Sequence, residues 1–160
     1  MLSQKASKST SPEILRALQQ LKKAEVEFYK QKPHVDAIRQ LCQMYLNAGD
    51  KPKALYYCDM LIKTTNFITD FGNKALVMSH FGDYDGAVAL LTNILQERPH
   101  LDLLWYVLST IHEQQGDIND ALQAATIGHE ILMKMSDPDK QNIADAENRI
   151  HVLKSKLKNI

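Results

Sequence analysis

An all-α array of helical hairpins is the fold class this sequence predicts, and three observations predict it. Glycine and proline are sparse, 6 and 5 in 160 residues. A sandwich or barrel needs a turn every ~8–12 residues, and this chain lacks the punctuation. Apolar residues recur at helical spacing, as at Ile38, Leu41 and Tyr45 or at Phe71, Ala75 and Met78. Finally, a turn signal repeats: Gly49-Asp50, Gly82-Asp83 and Gly116-Asp117, with glycines 33 and 34 residues apart. Five residues after each glycine stands an alanine: Ala54, Ala87 and Ala121. A left-handed glycine ends one helix, a second helix starts just beyond it, and the alanine lets the two approach closely.

Residues 1–10 have no apolar face and read as a flexible tail. A leading helix over 11–32 follows, with Ser11 as its cap, Pro12 in its first turn and an acid, Glu13, behind. Ile14, Leu18, Leu21, Ala24 and Phe28 form its apolar face. Three hairpin units occupy residues 33–135, at about 35–67, 68–101 and 102–135. Gly72-Asn73 falls inside the first helix of the second unit, where a glycine costs about 1 kcal/mol against alanine. That helix is expected to begin late, near Thr69 or Asp70, or to be distorted. Pro33-His34-Val35-Asp36 and Pro99-His100-Leu101-Asp102 read as equivalent loops whose aspartates cap the next helix. Asp137-Pro138-Asp139 starts a C-terminal helix within 136–160, with Ile143, Ala146, Ile150, Leu153 and Leu157 as its seam. Such a helix covers the end of an array. Ala124, Ala125 and Gly128 offer it a flat surface, and a narrow seam of this kind also suits a weak homodimer.

Composition excludes several functions. Hydrophobic residues make up 44% and charged residues 24%, as in ordinary globular chains. Lys plus Arg and Asp plus Glu both number 19. Without excess positive charge, nucleic acid is not an expected partner. Residues 1–32 carry net +4, 33–135 net −5 and 136–160 net +1, which reads as solvated helix faces. The longest apolar runs, such as Ala87–Leu91, are too short to span a membrane. No apolar leader follows Met1, and a cytoplasmic location is expected. No dinucleotide or phosphate-binding loop, HExxH or paired CxxC occurs. No catalytic residue, cofactor or metal site is therefore assigned, and the chain is not read as an enzyme. The six histidines are scattered, and His112 is expected to be packed and hydrogen-bonded. Cys42 and Cys58 lie on paired helices of one unit and are expected to be buried, reduced thiols rather than a redox pair.

The units resemble the tetratricopeptide repeat, whose pattern is W-x₂-L-G-x₂-Y, then A-x₃-F, then P. Trp105-x₂-Leu108-Ser109-x₂-His112 with Ala121-x₃-Ala125 matches at Trp, Leu and the first Ala. Ile38-x₂-Leu41-Cys42-x₂-Tyr45 with Ala54-x₃-Cys58 matches at Leu, Tyr and Ala. The middle unit departs at Phe71 and Lys74, then returns with Met78, Gly82-Asp83-Tyr84, Ala87, Leu91 and Pro99. The resemblance implies a right-handed superhelix in which the first helix of each unit lines a concave, partner-binding groove. The groove positions are Arg39, Gln40, Gln43 and Asn47 in the first unit, and Asn73, Leu76 and His80 in the second. Leu103, Tyr106, Val107, Thr110, Glu113 and Gln114 follow in the third.

The implied function is a non-catalytic adaptor or co-chaperone that binds a peptide or helical segment of a protein partner. Leu76, Leu103, Tyr106 and Val107 would take its apolar anchors; Gln43, Asn47, Glu113 and Gln114 would meet its polar or basic groups. Repeats that grip acidic chaperone tails use a clamp of Lys, Asn, Asn, Lys and Arg, where this chain has Arg39, Gln43, Asn73, Leu103 and Val107. Only Asn73 is identical, so such a ligand is disfavoured. A secretion chaperone with three such units and a self-assembling structural subunit are the alternatives. A pI near 7.0 weighs against the first of these, because those chaperones tend to be acidic.

Overall fold

A computed structural model describes residues 12–30 and 34–159, and every regular element among them is an α-helix. The tail at 1–10, the Ser11 cap, Pro33 and the side chains of Ile14 and Leu18 lie outside the described residues. The helices are α1 (Pro12–Lys30), α2 (Val35–Asn47), α3 (Lys51–Thr65), α4 (Ile68–His80), α5 (Tyr84–Glu97), α6 (Asp102–Gln115), α7 (Ile118–Met133) and α8 (Lys140–Lys158). They gather into two compact units, residues 1–64 and residues 65–160.

The repeated Gly-Asp pairs make the hairpin turns. Gly49, Gly82 and Gly116 all have positive φ, between 74° and 97°, where a side chain would be strained. The aspartates do the next step in two of the three turns. Asp50 accepts from Lys53 N at 3.1 Å and Asp83 from Gly86 N at 3.2 Å, each satisfying an amide that the helix leaves open. Asp117 makes no such bond. Other caps differ from expectation. His34, not Asp36, caps α2, and Asp102 lies inside the first turn of α6 after Leu101. Asp139 caps α8 by accepting from Gln141 N at 2.7 Å, so Asp137-Pro138 precedes that helix instead of starting it.

In the first unit, Leu21 and Phe28 of α1, Ile38, Leu41 and Tyr45 of α2, and Ala54, Tyr57, Cys58 and Leu61 of α3 are buried. Tyr45 and Tyr57 stack with centroids 5.5 Å apart, and Phe28 meets Tyr57 edge-on. Glu25 ties this aromatic group to charge. Tyr57 Oη donates to it at 3.1 Å, and Lys53 Nζ pairs with it at 3.3 Å while also donating to Tyr45 Oη at 3.0 Å.

The second unit has one large core, with Ala75, Ala87, Leu91, Leu95, Leu104, Val107, Leu108, Ile111 and Ala124 at its centre. Gly72 explains itself here. Its helix runs from Ile68 without a break, and a Cβ at Gly72 would lie 3.3 Å from Leu104 and 3.4 Å from Val107. The glycine lets α6 pack against α4, a benefit that offsets its helix propensity. Gly128 does the same between α7 and α6, where a Cβ would meet Trp105 Cβ at 3.2 Å. Gly128 and Ala124 thus face α6, while Ala121 and Ala125 receive Leu153 of α8. Trp105 is only half-buried: its body packs on the core and its Nε1 donates to Pro99 O at 2.8 Å.

These two glycines should respond differently to added bulk. Gly128→Val drives a side chain into Trp105 Cβ and nearby backbone, and should cost about 1–3 kcal/mol in denaturant titration. Gly72→Ala meets only the ends of two side chains and gains helix propensity, so stability should stay within about 1 kcal/mol.

Candidate partner-binding cleft

The C-terminal helix does more than cover α7. Arg149 projects from α8 to α6, where its Nε donates to Ser109 Oγ at 2.9 Å and its guanidinium lies 5.2 Å from the centre of the Tyr106 ring. Its Nη2 is 3.0 Å from Glu113 Oε2, and Lys156 Nζ donates to the other Glu113 oxygen. Ser109, fully buried, donates in turn to Ala121 O at 2.7 Å. It occupies the small-residue slot of the repeat pattern, and only a small side chain leaves room there for the guanidinium to reach α6. One arginine thereby links α8 to a buried hydroxyl, an aromatic face and a carboxylate.

A cleft of about 300 Å³ opens between α6, α7 and α8 beside that link. Ala125, Gly128, Leu132 and Ala146 give it apolar walls, joined by Leu103 and Tyr106. Leu103 and Tyr106 remain 41% and 47% exposed, while Leu132 and Ala146 are buried. Asp102, His129, Asn142, Asp145 and Arg149 supply the polar groups. Arg149 is already engaged by Glu113, so the carboxylates of Asp102 and Asp145 set the sign of the cleft. His129 Nε2 lies 3.7 Å from Glu147.

The residues expected to line a groove meet different fates. On α2, Arg39, Gln40, Gln43 and Asn47 are all exposed. Arg39 pairs with Asp36 at 3.5 Å, and Gln43 Nε2 donates to Asn47 Oδ1 at 2.9 Å. Gln40 borders a smaller cleft of about 240 Å³ with Phe28, Leu41 and Met44. In the second unit, Asn73 and His80 are exposed, His80 edge-on to Phe81, and Leu76 is half-buried against the core. Gln114 is exposed, and Thr110 donates back to Tyr106 O at 3.0 Å.

Two expectations need correction. Val107 is 7% exposed and faces Gly72, so it is core and no anchor for a partner. Glu113 is held by Arg149 and Lys156 and does not stand ready for a basic ligand. The sequence reading missed Arg149, His129, Asn142 and Asp145. The one available signal was an arginine four residues before Leu153, bordering an otherwise apolar seam.

His112 is also not as expected, because its buried Nδ1 has no hydrogen-bond partner among the described residues. One ligand atom from each of His112, Asp117 and Asp120 lies within 4.8 Å of the others. Both aspartates are exposed.

Paired antiparallel helices, closed over small residues and repeated with a 33/34 spacing, define an all-α helical-repeat scaffold. Residues 80–126 match the family described as tetratricopeptide repeat. No curated protein matches the chain. Among solved structures, MamA residues 41 to the end from Desulfovibrio magneticus RS-1 is similar at 14% identity and a TM-score of 0.51, over 91% of this chain and 92% of that one. A MamA RS-1 double mutant is similar at 14% identity and a TM-score of 0.50, over 90% and 92%. At that identity the likeness is one of fold. Repeats of this kind are in general protein-interaction scaffolds and not catalysts.

The Glu113 cluster makes the docking of α8 sensitive to acid. The hydrogen bond from Lys156, with the charge of Arg149 behind it, outweighs burial and holds the Glu113 carboxyl below the ordinary value of 4.5. A depressed folded value means stability that is complete above pH ~4.5 and is lost as pH falls through that lower value. Glu25 titrates in the same direction: burial raises it, but hydrogen bonds from Tyr45, Tyr57 and Lys53 prevail. Thermal unfolding of Glu113→Gln should therefore lose less stability than wild type between about pH 5 and pH 3, by an amount separable from that of Glu25→Gln.

Proposed function

We propose that this chain is a non-catalytic adaptor that holds a peptide or helical segment of a protein partner in the cleft between α6, α7 and α8. The observation that carries the reading is the exposure of Leu103 and Tyr106 on the apolar wall of a cleft with a polar rim. Exposed large side chains beside a concave apolar surface favour a partner's side chain over water. Tyr106 suits an anchor role, because a rigid ring gives much contact area for little lost rotamer freedom, and Arg149 already steadies it. Asp102 and Asp145 favour a neutral or basic flank on that segment over an acidic one. The exposed row on α2, Arg39, Gln40, Gln43 and Asn47, offers a second, polar contact surface. A cytoplasmic co-chaperone is the narrower form of this reading and rests on the family resemblance.

The test starts from a displayed peptide library selected on the wild-type chain. Selected peptides should carry an apolar anchor and lose about 1–3 kcal/mol of affinity for Tyr106→Ala and for Leu103→Ala, with helicity kept in both and melting nearly unchanged in Leu103→Ala. Asp145→Lys should weaken those with basic flanks further. Peptides that bind both alanine variants as tightly as wild type would place the site elsewhere.

A further inference from the structure

Cys42 and Cys58 serve neither the cleft nor the adaptor function, yet the fold brings them together. Cys42 sits on α2 and Cys58 on α3, and the Gly49-Asp50 turn folds these helices side by side. Their sulfurs are 2.9 Å apart, and no disulfide joins them. The two thiols are unequal. Cys58 is 2% exposed, whereas Cys42 is only partly buried. Cys42 Sγ is also 3.5 Å from Ala54 O, which it reaches as a donor. Either thiol can be the donor in the contact between them. Once Cys42 is ionised only Cys58 can donate, and that hydrogen bond favours the Cys42 thiolate and outweighs burial, holding the Cys42 thiol below its ordinary range. The more accessible sulfur is thus the better nucleophile, and its neighbour is already within reach.

From this geometry we infer that Cys42 and Cys58 are an oxidative modification site, converted by hydrogen peroxide into a disulfide that ties α2 to α3. The Cys42 thiolate attacks one peroxide oxygen, the O–O bond breaks, and the leaving hydroxide takes up a proton as water. Cys42 becomes a sulfenic acid, oxidised by two electrons while the peroxide is reduced. Cys58, losing its proton, then attacks the Cys42 sulfur. The S–O bond breaks, the S–S bond forms, and the hydroxide leaves as a second water carrying the Cys58 proton. Two thiols and one peroxide yield one disulfide and two waters. Cys42 is the attacking group and Cys58 the resolving one.

The experiment is intact-mass spectrometry and peptide mapping of the full chain after treatment with hydrogen peroxide. Wild type should lose the mass of two hydrogens, remain unlinked to other chains, and give one joined peptide pair containing Cys42 and Cys58. Cys58→Ser should instead gain one oxygen at Cys42, captured by dimedone. In Cys42→Ser, Cys58 should react at least about tenfold more slowly than Cys42 does in wild type. Circular dichroism checks that both variants keep their helicity; if either unfolds, the wild-type peptide map decides alone. Wild type that stays reduced, accumulates oxygen without the joined peptides, or links chain to chain would overturn the inference. So would a folded Cys42→Ser variant that reacts as fast as wild type.

Discussion

Arg149 is the side chain on which the cleft depends. A guanidinium that leaves water loses hydration, and this one meets Ser109 by a hydrogen bond, Glu113 by an ion pair and Tyr106 by its ring face, while its buried Nη2 has no aligned hydrogen bond. All three partners lie on α6 within two turns, at positions 106, 109 and 113, and so offset the cost of burial at one place. Holding Arg149 there fixes the rotation of α8. That rotation puts Ala146 and Asn142 along the cleft and drives Leu153 into the pocket formed by Ala121 and Ala125. Fully buried, Leu153 contributes about 1.5–3 kcal/mol by its removal from water. The apolar contact supplies affinity between the helices, and the arginine supplies their register.

Beneath this lies a constraint on distance. Ala54, Ala75, Ala87 and Ala121 have no exposed surface at all, and Gly72 and Gly128 sit where a Cβ would press on the neighbouring helix. Interiors pack at the density of organic crystals, so a helix pair closes only as far as its largest facing side chains allow. Small residues at these points let the long ones beside them, Leu91, Leu104 and Ile111, interdigitate. Repeats that share this arrangement need not share other residues. A likeness of fold at 14% identity is physically reasonable on those terms.

What the sequence reveals is what local chemistry controls. Glycine followed by aspartate marks a left-handed turn and a cap wherever it occurs, and alanine five residues on marks the close approach. The hairpins, their period and the seam of α8 were legible for that reason. Features that depend on a partner far along the chain were not. Gly72 reads as a defect until α6 arrives beside it, 32 residues later at Leu104. Val107 shares a helical face with Leu103 on paper, but the ~40° by which four residues overrun one turn carries it toward α4 and into the core. Glu113 looks like a vacant acid because Lys156 is 43 residues away. The exposure of Leu103 and Tyr106 is legible because it follows from the position of the core on the opposite side of α6. The polar half of the cleft was missed because α8 brings it.

The central claim, that α8 is locked to α6 through Arg149, is open to a double-mutant cycle. Unfolding free energies would be measured for wild type, Glu113→Gln, Arg149→Gln and the double variant at neutral pH and moderate salt. A direct pair in this half-buried setting predicts a coupling of about 1–2 kcal/mol, with the double variant less destabilised than the sum of the singles. Additivity to within about 0.3–0.5 kcal/mol would mean that the two side chains do not act on one another, and would contradict the account.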